Sequence, residues 1–241
     1  MTRAPHRLNP KRHVSSFWRI IGLCVIGLHS LNASADTTEA VAGADSSLSR
    51  RTGIFASVKT NLLSDALAVP QIAAEFYLTR DFSIEADWMY AWWGRDLGSW
   101  MWRIYGGNVT ARRWFGRAAS AKPLTGHHAG VYVGAFTYDF VFDRKGHMGG
   151  LPSGSLWDRC MVNVGVEYGY SLPIARRLNL DFSIGIGYVG GMVERYKVDD
   201  DIYIWQSTVR KHWFGPTRAA VSLVWLLGPR NFNLRKKGGE A

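Results

Sequence analysis

The chain has 241 residues, a formal net charge of +10, 13% aromatic residues and 26 glycines. It is long enough for one domain with a sizeable interior, and its aromatic and glycine content suits a strand-rich fold. Half of the net charge comes from Arg3, Arg7, Lys11, Arg12 and Arg19 in the acid-free residues 1–35, which makes nucleic acid a poor first guess as partner.

Residues 1–35 read as a secretory signal peptide. The first 19 residues are basic, Ile20–Leu28 is a short apolar core, and Ala33-Ser34-Ala35 supplies an Ala-x-Ala cleavage site. Leu23 before Cys24 argues against lipid attachment. Cys160 then stands alone in the exported chain, so no internal disulfide is expected. It reads as a small apolar side chain near a strand end. Residues 36–52 are polar and aperiodic, a flexible lead-in.

The body, residues 53–228, alternates with period two. Ile54–Leu63 places Lys59 and Asn61 on one face and Ile54, Ala56, Val58, Thr60 and Leu62 on the other. Gln71–Thr79 sets Glu75 against Ile72, Ala74, Phe76 and Leu78. Phe82–Trp93 sets Ser83, Glu85, Asp87 and Met89 against Phe82, Ile84, Ala86, Trp88 and Tyr90. Met101–Phe115 turns Asn108, Thr110 and Arg112 away from Val109 and Ala111. His127–Phe142 places Tyr132, Gly134, Phe136, Tyr138 and Phe140 opposite Val133, Ala135, Thr137 and Asp139. Met161–Leu172 has the cleanest division: Val162, Val164, Val166, Tyr168 and Tyr170 against Met161, Asn163, Gly165, Glu167 and Gly169. Leu178–Val193 sets Asp181, Ser183, Gly185 and Gly187 against Leu180, Phe182, Ile184, Ile186 and Tyr188. Thr217–Gly228 sets Arg218, Ala220, Ser222 and Val224 against Ala219, Val221, Leu223 and Trp225. Gly116–Gly126, Asp143–Asp158 and Glu194–Pro216 read as connections, and residues 229–241 as a basic, unstructured tail.

A soluble core strand has no reason to place carboxylates among glycines. A membrane barrel does, with apolar residues toward lipid and small or polar ones toward a narrow lumen. No apolar run is long enough for a transmembrane helix, so a membrane role requires a closed barrel. The sequence therefore predicts an all-β fold, an eight-stranded antiparallel up-and-down transmembrane β-barrel. The longest connections, 143–158 and 194–216, fall at one end, as the outer loops of an outer-membrane protein. Trp88, Tyr90, Trp92, Trp93, Trp100, Trp102, Tyr138, Phe140 and Tyr188 would form a belt there. Phe82, Trp114, Tyr168, Tyr170 and Trp225 would form the other belt.

Lys59-Thr60-Asn61-Leu62-Leu63, Ala74-Glu75-Phe76-Tyr77-Leu78, Trp88-Met89-Tyr90-Ala91-Trp92-Trp93, Arg113-Trp114-Phe115-Gly116, Lys122–His128, Gly165–Pro173 and Trp213-Phe214-Gly215-Pro216 are familiar in combination. They resemble an uncharacterised family of Bacteroidota outer-membrane β-barrel proteins, a domain of unknown function. The resemblance spans about residues 54–228. It implies a location, the outer membrane of a Gram-negative bacterium, and supplies no activity or catalytic residues.

A barrel of eight strands is filled by its own side chains. Lys59, Glu75, Glu85, Asp87, Arg112, Asp139, Glu167, Asp181 and Arg218 are expected as its lumen network, a plug of paired charges. The excess of carboxylates keeps open a proton or ion path. His127 and His128 point to opposite faces, and both read as interfacial residues at a turn, although one could serve as a lumen base beside an inward acid. Tyr203, Trp205 and Trp213, beside Arg210 and Lys211, are expected to form an outer binding surface for an extracellular protein or glycan. The expected partners are thus outer-membrane lipids and a surface ligand, with no metal and no cofactor. Motifs for serine hydrolases, zinc proteases and phosphate loops are missing, so a structural, assembly or surface-binding role is expected over an enzyme. Two alternatives stand beside it. One is an outer-membrane lipid or peptide hydrolase using Asp199-Asp200-Asp201 and His212 at the rim. The other is a soluble periplasmic ligand-binding barrel with its apolar face inward.

Overall fold

The structure is a computed structural model that describes residues 55–78, 81–94, 100–155, 157–199, 202–228, 231 and 233. The expected signal peptide, the expected lead-in and most of the basic tail lie outside the described residues.

The strands are β1 (Phe55–Asn61), β2 (Gln71–Tyr77), β3 (Phe82–Gly94), β4 (Trp100–Phe115), β5 (Gly126–Phe142), β6 (Lys145–Gly149), β7 (Met161–Ala175), β8 (Leu178–Asp199) and β9 (Ile202–Leu227). Two short helices, α1 (Leu62–Ala66) and α2 (Gly116–Ala121), lie in connections. All pairings are antiparallel. They run β1–β2–β3–β4–β5–β7–β8–β9 and return from β9 to β1, so the sheet closes in a ring of eight strands. Apart from β6, strands that follow one another in the chain lie side by side in the ring.

The ninth strand, β6, belongs to the same column as β7. It pairs with the far end of β5 (Tyr138–Phe142) and with β8 at Val193–Lys197, beyond the point where β7 begins. The expected loop 143–158 is therefore a hairpin at Asp143-Arg144, a strand, and then an excursion to Cys160. Positive φ at both Asp143 and Arg144 makes that two-residue turn possible.

The expected loop 194–216 is likewise strand, because β8 and β9 continue as one hairpin to the pair Asp199–Ile202. Its alternation is obscured by two irregularities, at Gly185/Ile186 and at Arg195/Tyr196. At the first, Arg218 faces Gly185 while Pro216 faces Ile186, so Thr217 is the extra residue of a bulge. Pro216 has no N–H to give to a ladder and suits that position.

The wall is uneven. β9 pairs with β1 only over Ser222–Leu227, and β3 pairs with β2 only up to Met89. Beyond those points β3, β4, β5, β6, β8 and β9 form a curved sheet that, among the described residues, is open between β9 and β3. Helix α1 sits at this notch, with Asn61 as its N-cap accepting from the Leu63 N–H at 3.2 Å.

The opposite, short-turn end is closed by the chain itself. Gly116–Gly126 is expected as a polar connection, yet Leu124 is 1% exposed and packs with Trp114, Ala119, Val224 and Leu226. Trp114 thus points into the ring instead of joining an outer belt, and its Nε1 donates to Ser83 Oγ at 2.7 Å. Burying this indole inside is worthwhile because it has both an apolar contact and a hydrogen-bond partner. The tail is anchored here too. Asn231 Nδ2 donates to the Ala56 and Leu227 carbonyls, each at 2.9 Å. Asn233 Nδ2 donates to Leu178 O at 3.2 Å and to Asn179 Oδ1 at 2.9 Å. Residues expected as unstructured therefore satisfy carbonyls at the ends of four strands, β1, β7, β8 and β9.

Candidate functional site

The inner face is identified by the side chains that meet there. Seven strands contribute to one cluster: Lys59 from β1, Glu75 from β2, Glu85 and Asp87 from β3, Arg112 from β4, Glu167 from β7, Asp181 from β8 and Arg218 from β9. Groups on strands so far apart in the sheet can converge only inside the ring. Lys59 Nζ lies 2.5 Å from Glu75 Oε2, 2.8 Å from Glu85 Oε2 and 3.2 Å from Asp181 Oδ2. Arg112 grips Glu85 with both terminal nitrogens, Nη2 to Oε1 at 3.0 Å, and reaches Glu167 through Nε. Arg218 Nη2 lies 2.8 Å from Glu85 Oε1 and 3.3 Å from Asp87 Oδ2, and its Nε lies 3.1 Å from Glu167 Oε2. Arginine suits this centre because its planar fork serves several carboxylates at once.

Five carboxylates share three fixed cations in this cluster. Neutral donors take up the difference. Ser83 Oγ donates to Glu75, Asn108 Nδ2 and Gln71 Nε2 donate to Asp87, and His128 Nε2 meets Asp181 Oδ1 at 2.8 Å. His128 Nε2 donates to the Asp181 carboxylate, and its Nδ1 is buried without a hydrogen-bond partner. Among the described residues no His, Cys, Asp and Glu group could hold a metal ion. Lys59 and Arg112 occupy the space between the carboxylates where a cation would sit.

The glycines explain themselves against two ring systems on β5. A Cβ on Gly165 would stand 2.4 Å from the Tyr132 hydroxyl, and one on Gly185 3.0 Å from the same ring. A Cβ on Gly169 would stand 2.5 Å from His128 Cε1. The small residues of β7 and β8 are the sockets for Tyr132 and His128. Tyr132 hydrogen-bonds Thr217, and the Arg218 guanidinium lies 5.6 Å from the Tyr132 ring centroid. Thr217 also lines a second feature at the long-hairpin end, a cavity of about 410 Å3 lined by β5, β6, β8 and β9 together with Met161 of β7.

Eight of the nine expected lumen residues meet in the charged cluster. Asp139 does not. Tyr132 and His128 fix the even-numbered residues of β5 inward, and β5 keeps its register against β4 throughout, so Asp139 lies on the opposite face. There it accepts from the Tyr196 hydroxyl and lies 3.7 Å from Arg103 Nη1. The faces of β5 are reversed for Tyr132 as well, which is 2% exposed, whereas Val131 and Val133 are 59% and 55% exposed.

Of the adjacent pair, His128 takes the lumen position beside an inward acid that stood as the alternative to an interfacial turn residue, fully buried beside Asp181, while His127 faces out and bonds the Tyr168 hydroxyl at 2.8 Å. The adjacent pair was the available signal, since one of two neighbours on a strand must point inward. Tyr203, Trp205 and Trp213 all lie on β9 and are exposed, at opposite reaches of the long hairpin. They do not form one patch. Trp213 lines the 410 Å3 cavity, whereas Tyr203 packs edge-on against Tyr196 near the tip. Asp199 pairs with Ile202 at the tip and His212 faces Gly190 nine residues lower, which is roughly 30 Å along a strand. Asp200 and Asp201 lie outside the described residues.

A family model described as a protein of unknown function, DUF3575, matches residues 40–227. No curated protein and no solved structure matches the chain.

Proposed function

The chain belongs to the DUF3575 family, and from the arrangement of its ring we propose a small outer-membrane β-barrel, exported by its signal peptide, that is plugged by its own side chains and binds at its outer end. One observation carries this reading, the inverted distribution of polarity. Charged groups fill the interior, while the outward residues of the ring are apolar and exposed: Ile72 62%, Val109 51%, Val131 59%, Val166 57%, Ile184 61% and Ile186 52%. A continuous apolar band of that kind is stable only against another apolar phase, and a closed antiparallel ring satisfies every backbone group in lipid. The long hairpins then lie on the outer side and the short turns in the periplasm. A soluble barrel with its apolar face inward has no support in this interior. The rim hydrolase has little, because Asp199 and His212 stand far apart on the hairpin.

The interior argues against passage. Arg112, Lys59, Glu75 and Glu85 lie within 4% exposure of complete burial and bind one another across the lumen. The role that remains is binding or assembly at the outer end.

The test is heat-modifiability on an SDS gel of protein taken from a fractionated outer membrane, with single-channel recording of the same material. A faster unboiled band in that fraction and a silent bilayer are expected. A single unshifted band in the soluble periplasm would overturn the membrane reading, and steady conductance steps would overturn the plug.

A further inference from the structure

The cavity at the long-hairpin end has a composition unlike the layer beneath it. Its walls are Phe136 and Tyr138 of β5, Val189 and Val193 of β8 and Trp213 of β9, with Met161 at the start of β7. Its polar groups are mostly cationic or neutral: Arg195, Lys211, His147 and Thr217, with no carboxylate among the lining residues. The volume of about 410 Å3 falls within the range of small-molecule sites, which are mainly apolar with a few convergent polar groups. The lining is carried by paired strands, so the site is formed before any ligand arrives.

The cations decide what it would hold. Three arginines of this end have acidic partners: Arg103 lies 3.7 Å from Asp139, Arg210 3.5 Å from Asp158 and Arg144 3.9 Å from Asp199, while Arg159 donates to the Gly154 carbonyl outside the cavity lining. Arg195 and Lys211, on neighbouring strands beside the cavity, are matched to no carboxylate among the described residues. Two unmatched cations beside an aromatic pocket complement a body that is apolar and a head that is anionic. A guanidinium and an ammonium bind a carboxylate through charge-assisted hydrogen bonds, and Trp213, 58% exposed at the mouth, can cover the apolar body.

We propose that this cavity binds a small amphipathic carboxylate, an aromatic or acyl body placed among Phe136, Tyr138, Val189, Val193 and Trp213 with its carboxylate at Arg195 and Lys211. The inference deepens the proposed outer-end binding role. It needs the ring and its hairpins but not their residence in a membrane. A chain that binds yet fractionates as soluble would overturn the membrane reading and leave this one standing.

The test is isothermal titration of the full chain, folded in detergent or in lipid nanodiscs, with 2-naphthoate and with octanoate. Ligand-free micelles or empty nanodiscs give the background. Saturable one-site binding of at least one carboxylate is expected, with 2-naphthalenemethanol, the neutral counterpart of naphthoate, binding about tenfold more weakly or worse. The double variant Arg195→Ala/Lys211→Ala changes exposed side chains only and should weaken carboxylate binding at least as much. Val189→Trp should fill the cavity and abolish binding, with the unboiled gel band reporting that the ring still closes. Failure of both carboxylates to bind would overturn the proposal. So would unchanged affinity in the double variant, in a folded Val189→Trp chain, or for the neutral alcohol.

Discussion

His128 on β5 stands opposite Gly169 on β7, and its imidazole occupies the space that a side chain at 169 would need. The glycine therefore sets the reach of His128 toward Asp181. Gly169→Ala would bring a Cβ to 2.5 Å from His128 Cε1 and 2.4 Å from the Phe182 carbonyl oxygen. Overpacking of this kind costs about 1–3 kcal/mol. The expected outcome is a lower urea midpoint with an unchanged slope. A variant as stable as the parent would show that the sheet yields at this point and that the socket is not tight.

Lys59 tests the charged layer. It lies within ion-pair distance of Glu75, Glu85 and Asp181 at once and is 4% exposed. Lys59→Met keeps the length of the side chain and removes one of the three cations that five buried carboxylates share, leaving Arg112 to face Glu75 and, with Arg218, Glu85, a loss of about 3–5 kcal/mol. Arg144→Ala supplies the contrast. Its pair with Asp199 spans 3.9 Å between two largely exposed side chains, so a change of about 0–1 kcal/mol is expected. Equal effects of the two substitutions on denaturant midpoints would remove the claim that the inner layer holds the strands together.

The sequence makes the inner face legible wherever one side of a strand is charged and the other apolar. On β3, β7 and β8 the alternation of Glu85, Glu167 and Asp181 with branched apolar residues separates the two faces without help from neighbours. On β5 it separates them but cannot rank them. Tyr132 and Val133 are both apolar, and only the distant partners Thr217 and Asp181 reveal which side turns inward. The long hairpin of β8 and β9 is illegible for a different reason. Bulges at Thr217 and near Gln206 reset the parity of its alternation. The cavity is assembled from residues on five strands, and no spacing along the chain announces it.

The plug at the short-turn end predicts a cavity effect. Leu124 is 1% exposed and sits at φ +57, a backbone state that costs any non-glycine residue energy and persists only because its surroundings enforce it. Leu124→Ala keeps the strained backbone and loses the packing, so a loss of about 2–5 kcal/mol is expected. Thermal melts of the full chain check it. A loss below about 0.5 kcal/mol would mean that Trp114 and Leu226 close the gap alone.

Lys122, next to that plug and outside the ring strands, gives a pH signature. Burial pushes its ammonium down to about 8. Between that value and the ordinary lysine value of 10.5 the unfolded chain holds the proton and the folded chain does not. Stability then rises with pH across this window, because the unfolded state binds more protons. Below the window both states are charged and the cost of burying the charge is present in full. Denaturant midpoints measured through the window should climb in the parent and lose that increment in Lys122→Met. Parallel profiles for the two chains would place the Lys122 ammonium in ordinary solvent.

The Asn231 clip has a consequence for how the molecule comes into being. Its amide bridges Ala56 on the first strand to Leu227 on the last, and those two strands hold each other by only six residue pairs. Every other seam joins strands next to each other in the chain or separated by a single strand. This one joins the two ends of the body, the slowest kind of contact to find, and its fastener is translated after everything it fastens. A chain stopped one strand short is not a smaller ring. It is an open sheet with two unpaired borders, each able to recruit another copy. The interior thus exists only once the last strand has found the first, and Asn231, lying beyond that strand, fastens the join.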